Sequence, residues 1–233
     1  MQYRFTLSAA GRLVDISDLT RETRHDLGPY HCLDCGDEME PALGNTNAHH
    51  FRHKHSRDVE CSRETYLHEA AKHAVAEAFG DAVAAGNPFL MSRERPKVCR
   101  RHEVEFIRKC TLTPMREDFD LTRHLAVAHV EKGIGGFVAD VLLESSDGST
   151  QLLVEIEVTH SCEPQKIASG LKIIETKVES EEDIAGLRRG LLVDGLKTRG
   201  TIWCRSLLGK RRHAKGARPI SRSSWSTRAG RSA

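Results

Sequence analysis

Apolar positions along the chain follow two different periods. Between Tyr3 and Ile16, Phe5, Leu7, Leu13 and Val14 flank Ala-Ala-Gly-Arg, the pattern of a short hairpin. From Ser62 to Phe79 the period lengthens: Leu67, Ala70, Ala71, Ala74 and Ala78 recur at helical spacing, with Ser62 as N-cap and Gly80 as the expected stop. Between Asp81 and Arg123 the pattern dissolves among Asn87-Pro88, Arg95-Pro96 and Thr113-Pro114, and only weak strands are expected there. Order returns at Leu125 to Val130 and Gly133-Ile-Gly-Gly136. Two β-rich runs follow, Phe137 to Leu143 and Leu152 to Thr159, separated by Ser-Ser-Asp-Gly-Ser. A helix is expected to open at Pro164, where the missing N–H matters least, and to carry Ile167, Ala168, Leu171 and Ile174 on one side. No internal repeat is visible.

The two β-rich runs hold the most unusual polar residues. Alternation sets Val138, Asp140 and Leu142 on one face of the first run, against Phe137, Ala139, Val141 and Leu143. In the second run Leu153, Glu155, Glu157 and Thr159 share a face. If Asp147 and Gly148 are the centre of a two-residue type I′ turn, paired positions sum to 295 and Asp140 lies across from Glu155. Three carboxylates then crowd one patch. Like charges opposite one another destabilise a hairpin, so the pattern makes physical sense with a cation between them, and a divalent oxygen-bound metal is the natural guest. The bland alternative is an acidic, solvent-facing hairpin.

Composition narrows the class. With 233 residues and 39% hydrophobic content, the chain has room for one medium domain and a small one. No apolar run approaches the roughly 18 residues of a membrane span, and the opening MQYRFTLSAAGRLVDIS lacks a basic, apolar leader pattern, so a cytoplasmic protein without membrane partners is expected. The formal charge of +2 hides an asymmetry. Of the 35 Lys and Arg, eleven fall in residues 197–233, which hold none of the 33 Asp and Glu, leaving 24 bases against 33 acids in the rest. Such a basic tail, here with Trp203 and Trp225, either grips a polyanion or is merely solvated.

Seven cysteines, an odd count, suit metal binding better than a disulfide framework. Cys32-Leu-Asp-Cys35-Gly36 has the form of a metal knuckle, because a two-residue gap lets both thiolates reach one ion. His49, His50, His53, His55 and Cys61 follow. Two of these complete a tetrahedral site; His53 and Cys61 are favoured, with His50 next. A closed site with two or three thiolates argues for structural zinc.

Asp140, then Glu155-Ile156-Glu157 at the end of a hairpin followed by a helix, resembles the PD-(D/E)XK nuclease core. The likeness is closer to the competence protein CoiA family, which joins a CxxC…HFxH zinc module to such a core; Cys32, Cys35 and His50-Phe51-Arg52-His53 match that module here. The family's Glu-His-Lys helix corresponds to Glu64, His68 and Lys72, spaced by four on one helix face. The resemblance spans residues 30–175, apart from 81–123. It departs at Glu157, where the superfamily usually has lysine; that lysine is displaced to Lys166 or Lys72, or catalysis is lost.

The resemblance implies an α/β fold, an α+β mixed sheet with a restriction-endonuclease-like PD-(D/E)XK core and a small N-terminal zinc-ribbon-like module. The expected parts are the hairpin and zinc module at 1–61, the nuclease-like domain at 62–195 and the basic tail at 196–233. Glu64, Asp140 and Glu155 would hold Mg²⁺ or Mn²⁺ with the Ile156 carbonyl, and Glu157 or a lysine would orient the attacking water. His68 and His160 are candidates for phosphate contact or proton transfer. The implied function is metal-dependent hydrolysis of phosphodiester bonds, in DNA, during DNA processing, recombination, competence or defence, with recombination or defence proteins as partners. The alternatives are a catalytically inactive zinc-containing DNA-binding protein, and a zinc hydrolase that would need an open coordination position.

Overall fold

Strand and helix signals that lie far apart in the chain are assembled into a mixed α+β architecture of three sheets around one long helix. A computed structural model describes residues 2–55, 60–99 and 110–193, which lie in one compact unit, 1–201. The basic tail expected at 196–233, with its two tryptophans, lies outside the described residues.

The first sheet joins β1 (Phe5–Leu7), β2 (Leu13–Asp15), β3 (Tyr30–His31), β4 (Glu38–Ala42) and β5 (His50–His53) in the order β2-β1-β3-β4-β5. Its core is small and aromatic, with Tyr3, Phe5, Tyr30 and Phe51 all buried. α1 (Arg63–Ala85) follows. Ser62 caps it through an Oγ that accepts from the Thr65 amide, and Tyr66, Leu67, Ala70, Ala71, Ala74, Val75 and Phe79 form the buried stripe. Complete burial of Phe79, edge-on to Phe89 at 5.7 Å, contributes about 2–3 kcal/mol.

The expected stop at Gly80 is corrected: the helix runs on to Ala85 and ends at Gly86, whose N–H reaches the carbonyls of Ala82 and Val83. An exposed glycine in a helix interior costs only about 1 kcal/mol, too little to break a helix whose next residues include the three alanines Ala82, Ala84 and Ala85. Among the described residues nothing lies within 4 Å of where a Cβ on Gly80 would stand. Gly80→Ala is therefore expected to raise the unfolding free energy by about 0.5–1 kcal/mol, read by urea denaturation; a loss would mean that α1 is interrupted there in solution.

The stretch expected to hold weak strands forms the longest ladder. β6 (Leu90–Cys99) and β7 (Cys110–Asp120) pair antiparallel, and β12 (Gly190–Val193) joins β6 in parallel. The register shifts between Arg95 and Lys97, where Pro96 stands, and the extra residues opposite include Pro114. Prolines tolerated at a bulge make the sequence look broken where the sheet continues.

The third sheet has the order β11-β10-β9-β8, formed by β8 (Val127–Ile134), β9 (Phe137–Glu144), β10 (Gln151–Glu157) and β11 (Ile173–Lys177). Gly135 and Gly136, with φ of 55° and 84°, make the two-residue turn between β8 and β9; both positive angles are what a type I′ turn demands. The turn at Asp147-Gly148 is wider than expected, since Ser145 and Thr150 still pair across it. A loop centred on the same two residues keeps the same sum, so Leu152↔Leu143 and Val154↔Val141 pair as the sequence implied.

β10 and β11 run parallel and are joined through α2 (Pro164–Ala168). The helix expected to include Leu171 and Ile174 is thus corrected to five residues. Gly170 turns the chain at φ 80°, and the β-branched Ile173 and Ile174 enter the sheet beside Leu153 and Val154. α3 (Glu181–Leu187), closed by a Ser180–Asp183 capping box, leads to β12. α1 packs on β8, β9, β10, β2 and α3. No helix among the described residues is long and apolar enough to cross a membrane.

Candidate metal centre and acidic site

The knuckle forms directly after β3. The Cys32 amide donates to Asp37 O at 2.8 Å and the Gly36 amide to Cys32 O at 3.0 Å, folding the CxxC loop back on itself. His53 ends β5, and Cys61 immediately precedes the N-cap of α1. The ligand atoms of Cys32, Cys35, His53 and Cys61 all lie within 4.8 Å of one another. Cys32 Sγ and Cys61 Sγ are 3.8 Å apart, Cys35 Sγ and His53 Nε2 3.3 Å, and Cys61 Sγ and His53 Nε2 3.6 Å. A tetrahedron with metal–sulfur bonds near 2.3 Å has sulfur–sulfur edges of about 3.8 Å, so this set fits zinc. Four converging protein ligands leave no open position for zinc-based catalysis. His50 stands outside the group, with Nδ1 at 2.9 Å from Ala48 O. Burial raises the Cys32 thiol and, with the neighbouring thiols, pushes that of Cys61 up to about 12.

The acidic residues gather at the far end of the third sheet. Past Val141 and Val154 the ladder gives way to a side chain: Asp140 Oδ2 accepts from the Ile156 amide at 2.8 Å. The same oxygen lies 3.1 Å from His68 Nε2 on α1. Burial pushes the Asp140 carboxyl up, but the His68 and Ile156 contacts outweigh it and hold it below the usual range. His68 is raised in turn, chiefly by its bond to Asp140.

Glu155 sits next to this pair on β10 and is only 7% exposed. Its Oε2 meets Lys166 Nζ of α2 at 2.6 Å; its Oε1 is buried and finds no hydrogen-bond partner among the described residues. Burial raises the Glu155 carboxyl, and the Asp140 charge adds to that against the opposing pull of Lys166. Glu64, in the first turn of α1, accepts from the Thr159 hydroxyl just beyond β10.

Helix and sheet thus bring Glu64, His68, Asp140, Glu155 and Lys166 to one end of the structure. The others go elsewhere. Lys72, 1% exposed, bonds Glu69 at 2.5 Å and Glu131 at 2.6 Å. Glu157 lines a cavity of about 550 Å³ together with Glu175, Lys177, Arg116 and Arg189. His160 is exposed. Glu64, Asp140 and Glu155 do not converge on one point: among the described residues, the three-cysteine, one-histidine cluster alone brings three or more His, Cys, Asp or Glu ligand atoms within 4.8 Å.

Two acids escaped the sequence reading. Glu175 is the register partner of Glu155 on β11. Glu131, between the pairs Val130↔Val141 and Lys132↔Ala139, falls opposite Asp140 and has a positive φ of 52°. Reading Gly135-Gly136 as the centre of a type I′ turn would have found it. Together Glu131, Asp140, Glu155 and Glu175 form a row across all four strands. Set against family models, curated proteins and solved structures, the chain finds no match in any of the three.

Proposed function

We propose that the chain is a metal-dependent nuclease of the PD-(D/E)XK type, hydrolysing phosphodiester bonds of DNA in cytoplasmic DNA processing, recombination, competence or defence. The observation that carries this reading is Glu155, a buried carboxylate with one oxygen on Lys166 and the other without a partner among the described residues, beside an ionised Asp140. Leaving a buried carboxylate oxygen unbonded is costly unless a ligand meets it. Asp140, Glu155 and the mobile-length side chain of Glu64 offer the hard oxygen donors that Mg²⁺ or Mn²⁺ takes. Bound there, the ion would lower the pKa of a water and offset charge growing on the scissile phosphate.

The chain's own groups do the rest. Lys166, bonded to Glu155 and to the Val138 carbonyl, would serve as the displaced lysine and orient the attacking water with its remaining proton, whereas Lys72 bonds Glu69 and Glu131 away from Asp140 and Glu155. His68 fixes the Asp140 carboxylate and would contact a phosphate there. The basic residues of 197–233 would add charge-driven, salt-dependent affinity for the polyanion.

One observation favours a second reading. Asp140 and Glu155 each already have a cationic or titratable partner, so the pocket balances its charge without a divalent ion, as in a catalytically inactive zinc-containing DNA-binding protein. Labelled single- and double-stranded DNA incubated with Mg²⁺, Mn²⁺ or EDTA separates the two. Cutting is expected to need the metal and to fall at least about 100-fold in Asp140→Asn and Glu155→Gln. Salt-dependent binding without cutting would favour the silent reading, and neither binding nor cutting would overturn both.

A further inference from the structure

The metal centre and the acidic site meet at the start of α1. Cys61 is a ligand of the cluster, Ser62 is the N-cap, and Glu64 follows two residues later. Asp34 lies between the two knuckle cysteines and is not a ligand. Its Oδ2 accepts from the Ser62 amide at 2.9 Å, which ties the knuckle to the helix end. The Ser62 side chain then accepts from the Thr65 amide at 3.2 Å, and its carbonyl from the Tyr66 amide at 3.0 Å.

Beyond Tyr66 the helix has independent anchors. Tyr66 is buried, donates its hydroxyl to Glu181 at 2.5 Å and accepts the Phe5 amide at 2.9 Å. Residues 62–65 have no comparable burial; Ser62, Arg63, Glu64 and Thr65 are all exposed. The first turn of a helix is where N–H groups lack intrahelical partners and where fraying begins. Here that turn is tied to the rest of the chain by the Asp34–Ser62 bond at its start and by the Glu64–Thr159 contact.

We propose that Asp34 is a positioning residue: mounted on the metal-held knuckle, it fixes the N-terminal turn of α1 and so sets Glu64 at the end of β10, coupling the metal centre to the acidic site. The role assigned to Glu64 rests on the nuclease reading; the clamp itself does not. An aspartate at this place in the knuckle works because its carboxylate reaches one residue past the third thiol, where a backbone donor would otherwise face water. Alanine removes the acceptor. Asparagine keeps an oxygen that can accept the same N–H.

Residue-resolved hydrogen exchange on the zinc-loaded full chain tests the clamp, with zinc content measured alongside. In Asp34→Ala, protection at Ser62 and Thr65 is expected to fall at least about tenfold, with Ala70 to Val75 unchanged, zinc retained, and Asp34→Asn close to wild type. Cleavage by Asp34→Ala should fall together with that of Glu64→Ala, and the double variant should be no worse than the weaker single one. Unchanged protection at Ser62 and Thr65, loss spread along all of α1, or loss of zinc would overturn the proposal. If no form of the protein cuts DNA, the nuclease reading falls while the exchange result still decides the clamp.

Discussion

Lys166→Met is expected to destabilise the protein by about 3–5 kcal/mol at neutral pH, the usual consequence of removing one partner of a buried ion pair. Lys166 and Glu155 are each 7% exposed and 2.6 Å apart, and the ammonium is the cation in direct contact with a carboxylate whose other oxygen is already unbonded. Without it Glu155 keeps its desolvation penalty and loses its compensation. The deficit should depend on pH in a definite direction. Burial already holds the Glu155 carboxyl above its ordinary 4.5. Stability linked to that proton is present in full below 4.5 and is lost as pH rises through the folded value. Losing Lys166 moves the folded value further up, so the variant should be weakest at pH 7 and recover toward pH 4.5. Urea denaturation at both pH values measures this, and Glu155→Gln in the Lys166→Met background should restore much of the loss at pH 7. A deficit that is the same at both pH values would show that Lys166 acts through packing alone.

The same pair shows how far the sequence could lead. Asp140 and Glu155 could be set side by side because the hairpin between them is local and its centre is marked by Asp147-Gly148; the wider turn left the register intact. The knuckle was equally legible, since CxxC spacing is a chemical constraint over four residues. Ser62 was readable as a cap for the same reason. What lay hidden depended on distant partners. Lys166 meets Glu155 because α2 stops after five residues and β11 returns parallel to β10, whereas the periodicity of Ile167, Leu171 and Ile174 suggested a longer helix. The β6–β7 ladder was masked by Pro96 and Pro114, which sit at a bulge. The burial of Lys72 against Glu131 required knowing that β8 lies beside α1.

Metal removal should have the largest effect of all, because β4 and β5 pack mainly on each other and on β3, while α1 anchors the β1–β2 end. The strands of this first sheet are three, three, two, five and four residues long, and its buried aromatic core is too small to stabilise so short a segment by itself. Structural zinc in comparable small modules binds with apparent free energies of about 10–16 kcal/mol, which becomes folding free energy when the empty site is disordered. One zinc per chain is therefore expected, and a strong chelator or Cys32→Ser should abolish protection of the β4 and β5 amides. The affinity should also be steeply pH-dependent. A cysteine binds zinc as thiolate, and without metal burial pushes the Cys32 and Cys61 thiols up, Cys61 to about 12. Three thiols, each giving up one proton on binding, make the apparent affinity fall about 1000-fold for each pH unit of acidification. Competition with a chromophoric chelator between pH 6.5 and 7.5, conditions chosen to span about one unit, reads that slope directly. A slope near two would mean that Cys61 or Cys35 is not a ligand and that another donor, such as a water, completes the tetrahedron.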